Sequence, residues 1–332
     1  MSKLPPTPPP LIPSKPPPLP GYGLIHARLL PPSHTTLPHL HFAYPLKLIS
    51  IASTPSTTNS YQTVFQLTYG GGLVSNDQVN LRIVVETNAK LCLLTQGSTK
   101  IFKQKSDGHK TRQALDVRLC RGARLLLLPD PLQPFGESVF SQIQRFWLEE
   151  DGGMVVLDWV TEGRAARGER WDLESFESRN EVYCLDSGRL LLRDAILLKS
   201  VPSTDGDSNN TQKESLRSKM DGLVVFATLI IRGAAFERLA TYAKNKFSKE
   251  PRIGGRNFDA GGDESGGEVG GVPVKTRRRR DVLWTVSEVR GFVLVKVSGW
   301  ALEEVRGFLR ELLIDGEDVV GEFGEDCLLC LR

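Results

Sequence analysis

Four times this chain writes the same short phrase, and nothing else in it limits the fold so tightly. Asn88-Ala89-Lys90-Leu91-Cys92-Leu93-Leu94 is matched by Gly122-Ala123-Arg124-Leu125-Leu126-Leu127-Leu128. Gly152 to Leu157 and Ser187 to Leu192 are looser copies. From first residue to first residue the steps are 34, 30 and 35. Each copy is a tight turn followed by an apolar strand. One unit recurring at a near-constant period points to stacked β layers rather than a doubly wound α/β sheet. The apolar runs do not alternate with polar residues, so these strands are expected to be buried on both faces. The competing reading is chance: glycine followed by apolar residues recurs in any β protein.

The first copy sits inside a denser stretch, Val64 to Lys103. A short strand, Val64–Leu67, leads to Gly70-Gly71-Gly72, then Leu73-Val74 and the polar turn Ser75-Asn76-Asp77. Strands at Val79–Val85 and Lys90–Leu94 follow, joined at Thr87-Asn88 and read as a hairpin. The second runs into Thr95-Gln96-Gly97-Ser98-Thr99-Lys100. Glycine admits positive φ and close approach of other groups. Loops held on a rigid β scaffold commonly carry function.

These segments resemble the UreD/UreH urease accessory proteins. That family's glycine-glycine-leucine run with a nearby Asp appears as Gly71, Gly72, Leu73 and Asp77. Its Thr-x-x-x-Thr-Lys plus aromatic appears as Thr95, Thr99, Lys100 and Phe102. Its Pro-Asp-Pro-x-x-Pro-Phe segment is Pro129 to Phe135, including Asp130. Its Gly-Arg-x-x-Arg-Gly-Glu segment is Gly163 to Glu169, including Arg164 and Arg167, with Trp171 at the usual aromatic position. Pro45, Leu46 and Lys47 resemble an earlier family segment. One departure is Asn76, where the family commonly has Gly. Asn tolerates the left-handed region better than other side chains, so the turn is expected to survive.

The resemblance implies a mainly β fold, a layered, helical arrangement of many short strands with two α-helices towards the C-terminal part. It implies a non-catalytic urease maturation factor that binds a UreF-type accessory protein, through it a UreG-type GTPase, and apo-urease. It also implies Ni²⁺ in transit through an internal tunnel, with no tightly bound cofactor.

Residues 1–20 are mostly proline, which favours extended polyproline II and builds no core. They read as a disordered tail or as bait for a proline-binding partner. Residues 21–332 read as one β-rich domain with low-complexity insertions at 202–221 and 250–281. The second insertion holds four Gly-Gly pairs and ends at Arg277–Arg280, which reads as a solvated loop end or a nucleic-acid signal. Helices are expected at 233–246 and 300–313, the latter striped by Leu302, Val305, Leu309 and Leu312, with Ser298 near its N-cap. Net charge is +3, which by itself suggests no nucleic-acid partner. Five Cys without framework spacing suit a reducing compartment. No apolar run is long enough to span a membrane, and the N-terminus lacks a signal-peptide core. The expectation is a soluble cytoplasmic protein.

No complete catalytic constellation is present. The glycine run lacks the Gly-Lys-Ser/Thr ending of a phosphate-binding loop, and there is no Gly-x-Ser-x-Gly elbow. Cys327 and Cys330 have thiolate-pair spacing, but a terminal strand is the better reading. His39 and His41 read either as metal ligands on one strand face or as a proline-flanked surface segment.

Asp77, Ser98, Lys100, Asp130, Arg164, Arg167 and Glu169 lie in the family-like loops and cap neighbouring strands. Stacked layers would bring them to one interior path. Asp77 and Glu169 are then the candidate nickel-path carboxylates, and Gly71, Gly72 and Thr99 shape the corner. Carboxylates and waters pass a divalent ion without the trap that a His/Cys cage would form. The structural alternative is an ion-pair network of Arg164, Arg167 and Glu169, with Lys100 neutralising Asp77. Two further readings stay open: a β-rich enzyme using Asp77 or Glu169 as base with Lys100, and a metal-free interaction module.

Overall fold

A computed structural model describes residues 6–11, 19–51, 60–105, 110–200, 215–250 and 282–332. Most of both expected insertions, and Arg277–Arg280, lie outside those residues. The chain opens with β1 (Tyr22–Leu30), β2 (His34–Phe42), β3 (Leu46–Ile51) and β4 (Gln62–Thr68). Then come β5 (Gly72–Leu73), β6 (Gln78–Val85), β7 (Lys90–Leu94), β8 (Thr99–Ile101), β9 (Thr111–Leu119), β10 (Arg124–Leu128) and β11 (Leu132–Pro134). After these lie β12 (Val139–Leu148), β13 (Gly153–Thr161), β14 (Ser175–Cys184) and β15 (Leu190–Lys199). The last part holds α1 (Leu216–Lys219), β16 (Val225–Arg232), α2 (Glu237–Ser248), β17 (Val282–Val289), β18 (Phe292–Gly299), α3 (Leu302–Asp315) and α4 (Asp318–Phe323).

The fold is mainly β, in two sheets. The first has seven strands in the order β15-β14-β12-β9-β6-β1-β2. The second has eleven, with β17-β18-β16-β13-β10-β7-β4-β3 as its main path. From β6 to β14 the chain shuttles between them. β6, β9, β12 and β14 stack in parallel in the first sheet, and β4, β7, β10 and β13 in the second. Each parallel neighbour therefore arrives one full wrap later.

Three of the four repeat copies are rungs of the second sheet. Lys90 lies beside Arg124, and Arg124 beside Gly153, so the third copy is one residue out of its sequence alignment. The fourth copy, β15, leaves the stack and turns back antiparallel on β14 at an edge of the first sheet. β6 and β7 are likewise no hairpin: β6 pairs with β1 and β9, β7 with β4 and β10. Their patterns explain why. β6 alternates exposed Gln78, Asn80 and Arg82 with buried Val79, Leu81 and Ile83, whereas every residue of β7 is buried. One strand covers a single face of core and the other needs cover on both.

That cover comes from two cores. Leu91, Leu93, Leu125, Leu127, Met154 and Val156 face the first sheet. Cys92, Leu94, Leu126, Leu128, Val155 and Leu157 face a helix layer built from Leu239, Ala243, Val305, Leu309 and Leu312. Both expected helices are present as α2 and α3, and the expected α3 stripe is its buried side apart from half-buried Leu302. α1 and α4 are additional. Ser298 is not the cap, because β18 runs on to Gly299 and the helix opens after Ala301. Cys327 and Cys330 lie in a 3-10 helix, Glu325–Leu331, not a strand. Three residues per turn put Cys327, Cys330 and the adjoining Leu328 and Leu331 on the buried side, which strand alternation would not do. His39 of β2 stacks on His26 of β1 at 5.4 Å between ring centroids. Among the described residues no helix is long and apolar enough to cross a membrane.

The middle rung should therefore be the least tolerant of truncation. Leu126→Ala is expected to cost about 2–5 kcal/mol in urea unfolding. Leu197→Ser, on an edge position 59 % exposed, should stay within about 0.5 kcal/mol.

Candidate functional site

The family-like segments are successive corners of the wrap. β5, β8 and β11 form a small parallel extension beside β13, with Gly72, Lys100 and Gln133 in one register. Backbone geometry dictates the glycines. Gly70 and Gly71 have φ of 76° and 71°, and a Cβ on Gly72 would lie 2.5 Å from the Lys100 carbonyl. Asn76, at φ 70°, holds the left-handed turn without glycine, and Asp77 Oδ2 closes it by accepting from Val74 N–H at 2.9 Å.

The expected site residues divide among these corners. Asp77 is half-buried in its own turn, and Lys100 is exposed, with no ion pair between them among the described residues. Glu169 takes Arg164 Nε at 2.9 Å and Gly136 N–H at 3.1 Å, and the Arg164 Nη2 hydrogen bond completes a fork. The Arg164 guanidinium lies 4.3 Å from the Phe135 ring centroid. Its hydrogen bonds hold the Glu169 carboxyl below the ordinary range. Ser98, Arg164 and Arg167 share an outer cleft of about 560 Å³ with Glu162 and Arg170. Arg167 is exposed there, and burial raises the Glu162 carboxyl.

Asp130 goes inward. It is 6 % exposed and accepts from Thr95 Oγ1 at 3.0 Å and Gly97 N–H at 2.8 Å on one oxygen, and from Arg306 of α3 at 3.3 Å on the other. Burial raises its carboxyl against those donors. Asp130 and Thr95 line both an outer pocket of about 340 Å³ and a cavity of about 40 Å³ between the sheets. Thr99 also lines the inner cavity. That volume accommodates roughly three waters.

Around it lies a polar lane that no motif in the sequence marks. Gln113, Gln142, Gln144 and Asp158 line the cavity. Asp158 accepts from Gln142 at 3.2 Å, Ser178 at 2.6 Å and Asn180 at 2.7 Å, and Gln144 donates to Asn180 at 2.9 Å. Burial lifts the Asp158 carboxyl above its ordinary value in spite of these donors. In the next strands Thr228 lies beside Asp158, and Lys296 beside Thr228. Lys296 pairs with Asp194 at 2.5 Å and also lines an apolar slot of about 370 Å³ between the edges of the two sheets. The signal was in plain view. Asp158 is a lone carboxylate in an otherwise apolar strand, and Gln142 and Gln144 take inward positions of β12. Among the described residues no three His, Cys, Asp or Glu side chains gather as a metal-holding group.

A two-sheet wrap with stacked glycine, Thr-Lys and Pro-Asp-Pro corners, enclosing a polar lane, defines a class of layered β protein rather than a doubly wound nucleotide fold. The comparisons with known proteins name it. The family model described as UreD urease accessory protein matches residues 25–317. The chain belongs to the UreD urease accessory protein family. It is 32 % identical over 278 residues to a urease accessory protein ureD-like chain of Schizosaccharomyces pombe, covering 82 % of this chain and 86 % of that one. It is 33 % identical to urease accessory protein 4 of Cryptococcus neoformans var. grubii, covering 82 % and 84 %. It is 28 % identical to urease accessory protein D of Arabidopsis thaliana, covering 84 % and 91 %.

Asp158 also makes a pH prediction. A carboxyl raised on folding binds its proton more readily in the native state. The stabilisation is complete below the ordinary value of 3.8 and is lost as pH rises through the higher native value. Asp158→Asn has no such titration. Wild type should therefore lose stability relative to the variant as pH rises, measured by urea unfolding from about pH 4 to 8. A gap constant across that range would mean that Asp158 keeps its ordinary value.

Proposed function

We propose that this protein acts in urease maturation as a non-catalytic cytoplasmic scaffold. It joins apo-urease to a UreF-type partner and, through that partner, to a UreG-type GTPase, and hands Ni²⁺ onward along the polar lane. The observation that carries this reading is the lane itself. Carboxylates, amides and hydroxyls run between two sheets where hydrocarbon would otherwise fill the space. Oxygen and amide donors suit a divalent ion in transit, because binding must permit entry without preventing exit. Asp130 and Asp158 are its inner carboxylates. Asp77 and Glu169 we assign to the surface corner that shapes the approach. The enzyme reading is weaker, since Asp77 closes a turn, Glu169 is locked by Arg164, and Lys100 stands exposed.

The test is complementation of urease in cells lacking this protein, at limiting nickel. Asp130→Asn combined with Asp158→Asn should still co-purify with UreF-type protein and apo-urease, yet leave urease poor in nickel. Asp77→Ala with Glu169→Ala should weaken activation less. Full nickel loading by the Asp130/Asp158 variant would reduce the role to scaffolding. Failure of wild type to co-purify with any of the three partners would remove the scaffold as well.

A further inference from the structure

One row on the outer face of the first sheet is charged: Asp116, Arg145 and Glu181. One row beside it is different. β12 turns Phe140 and Phe146 towards the core, so Trp147 points outward. It lies in register with Arg118 of β9 and Tyr183 of β14. The Trp147 and Tyr183 rings stack with centroids 4.5 Å apart and planes 18° from parallel. Outward-facing as they are, Trp147 is 1 % exposed and Tyr183 5 %.

The described stretch of the proline-rich N-terminus, Pro6–Leu11, meets this row. Arg118 Nη1 donates to the Pro9 carbonyl at 3.3 Å, and Pro9 is buried. Along the stretch Pro9 is buried, Pro6 and Pro8 are half-buried, and Thr7, Pro10 and Leu11 are exposed. Polyproline II has three residues per turn, so Pro6 and Pro9 share a face. Aromatic grooves recognise such segments because the ligand is already extended and loses little entropy on docking. Among the described residues Trp147 Nε1 is buried with no hydrogen-bond partner, although a buried indole N–H normally finds one.

We infer that the row Arg118–Trp147–Tyr183 is a recognition site for polyproline II segments, filled in cis by the chain's own Pro6–Leu11. The N-terminus is then an intramolecular ligand. A proline-rich segment of another protein reaches the site only by displacing it.

The test uses the full-length chain and a fluorescein-labelled peptide with the sequence of residues 4–13, read by anisotropy. A tail that fills the site nine-tenths of the time weakens the apparent affinity of a competitor about tenfold. Pro6→Gly with Pro9→Gly should therefore bind the peptide at least about tenfold tighter than wild type. Adding Arg118→Gln should abolish that gain. Equal binding by wild type and the released chain, or a gain indifferent to Arg118→Gln, overturns the inference. Hydroxyl-radical footprinting of wild type needs no variant at all. Trp147 should react far more slowly than Tyr44, which is 65 % exposed; comparable rates overturn the inference even if the glycine variant fails to fold.

Discussion

Everything in this molecule leans on three strands that have no solvent side. β7, β10 and β13 lie in parallel with hydrocarbon above and below. A fully buried leucine contributes about 1.5–3 kcal/mol, but only if both layers are present. The first sheet and the helix layer are thus conditions for the stack. Parallel neighbours cannot be joined by a tight turn, so each connection must cross to the other sheet and return. The corners carry that crossing. Gly72 pressed on Lys100, and prolines flanking Asp130, are what a tight return under a packed layer demands.

The polar lane runs against this logic. An ionised carboxylate without partners costs far more in an apolar interior than one domain can spare. Asp158 is tolerated because three donors converge on it and because burial favours its neutral form. Such a network contributes little net stability over a hydrocarbon replacement. Local rules fail most often where function requires it, and this is the largest such failure between the sheets. The Arg164–Glu169 fork differs in kind: it is part-exposed, fastens one loop, and gives stability that solvent largely screens.

Local chemistry was legible in the sequence, and convergence was not. The glycine run, the Asn76 turn and the proline corner follow from backbone limits on single residues, so a string of letters reveals them. The repeat disclosed three stacked rungs because each carries the same double-sided burial. It misled at the fourth, since an apolar run looks the same whether the strand joins the stack or folds back at an edge. The expected hairpin fails for the same reason: adjacency in sequence suggests pairing, although the alternation of β6 and its absence in β7 separate the two strands. Asp158, Gln142 and Gln144 escaped because each is one polar letter in an apolar or mixed run. Only register brings them together across two sheets.

Both ends of the lane close in the same way. Arg306 sits on Asp130 at one end, and Lys296 on Asp194 at the other. Each of these carboxylates is already held by a positive side chain. The resident cation lowers each carboxylate's attraction for a further cation. Arg306 also belongs to α3, whose buried side packs on the stack. A shift of the helix layer would move that guanidinium relative to Asp130, while Lys296, on β18, is held by the sheet itself. The two ends are therefore mechanically unequal, and a shift of the helix layer acts on only one of them.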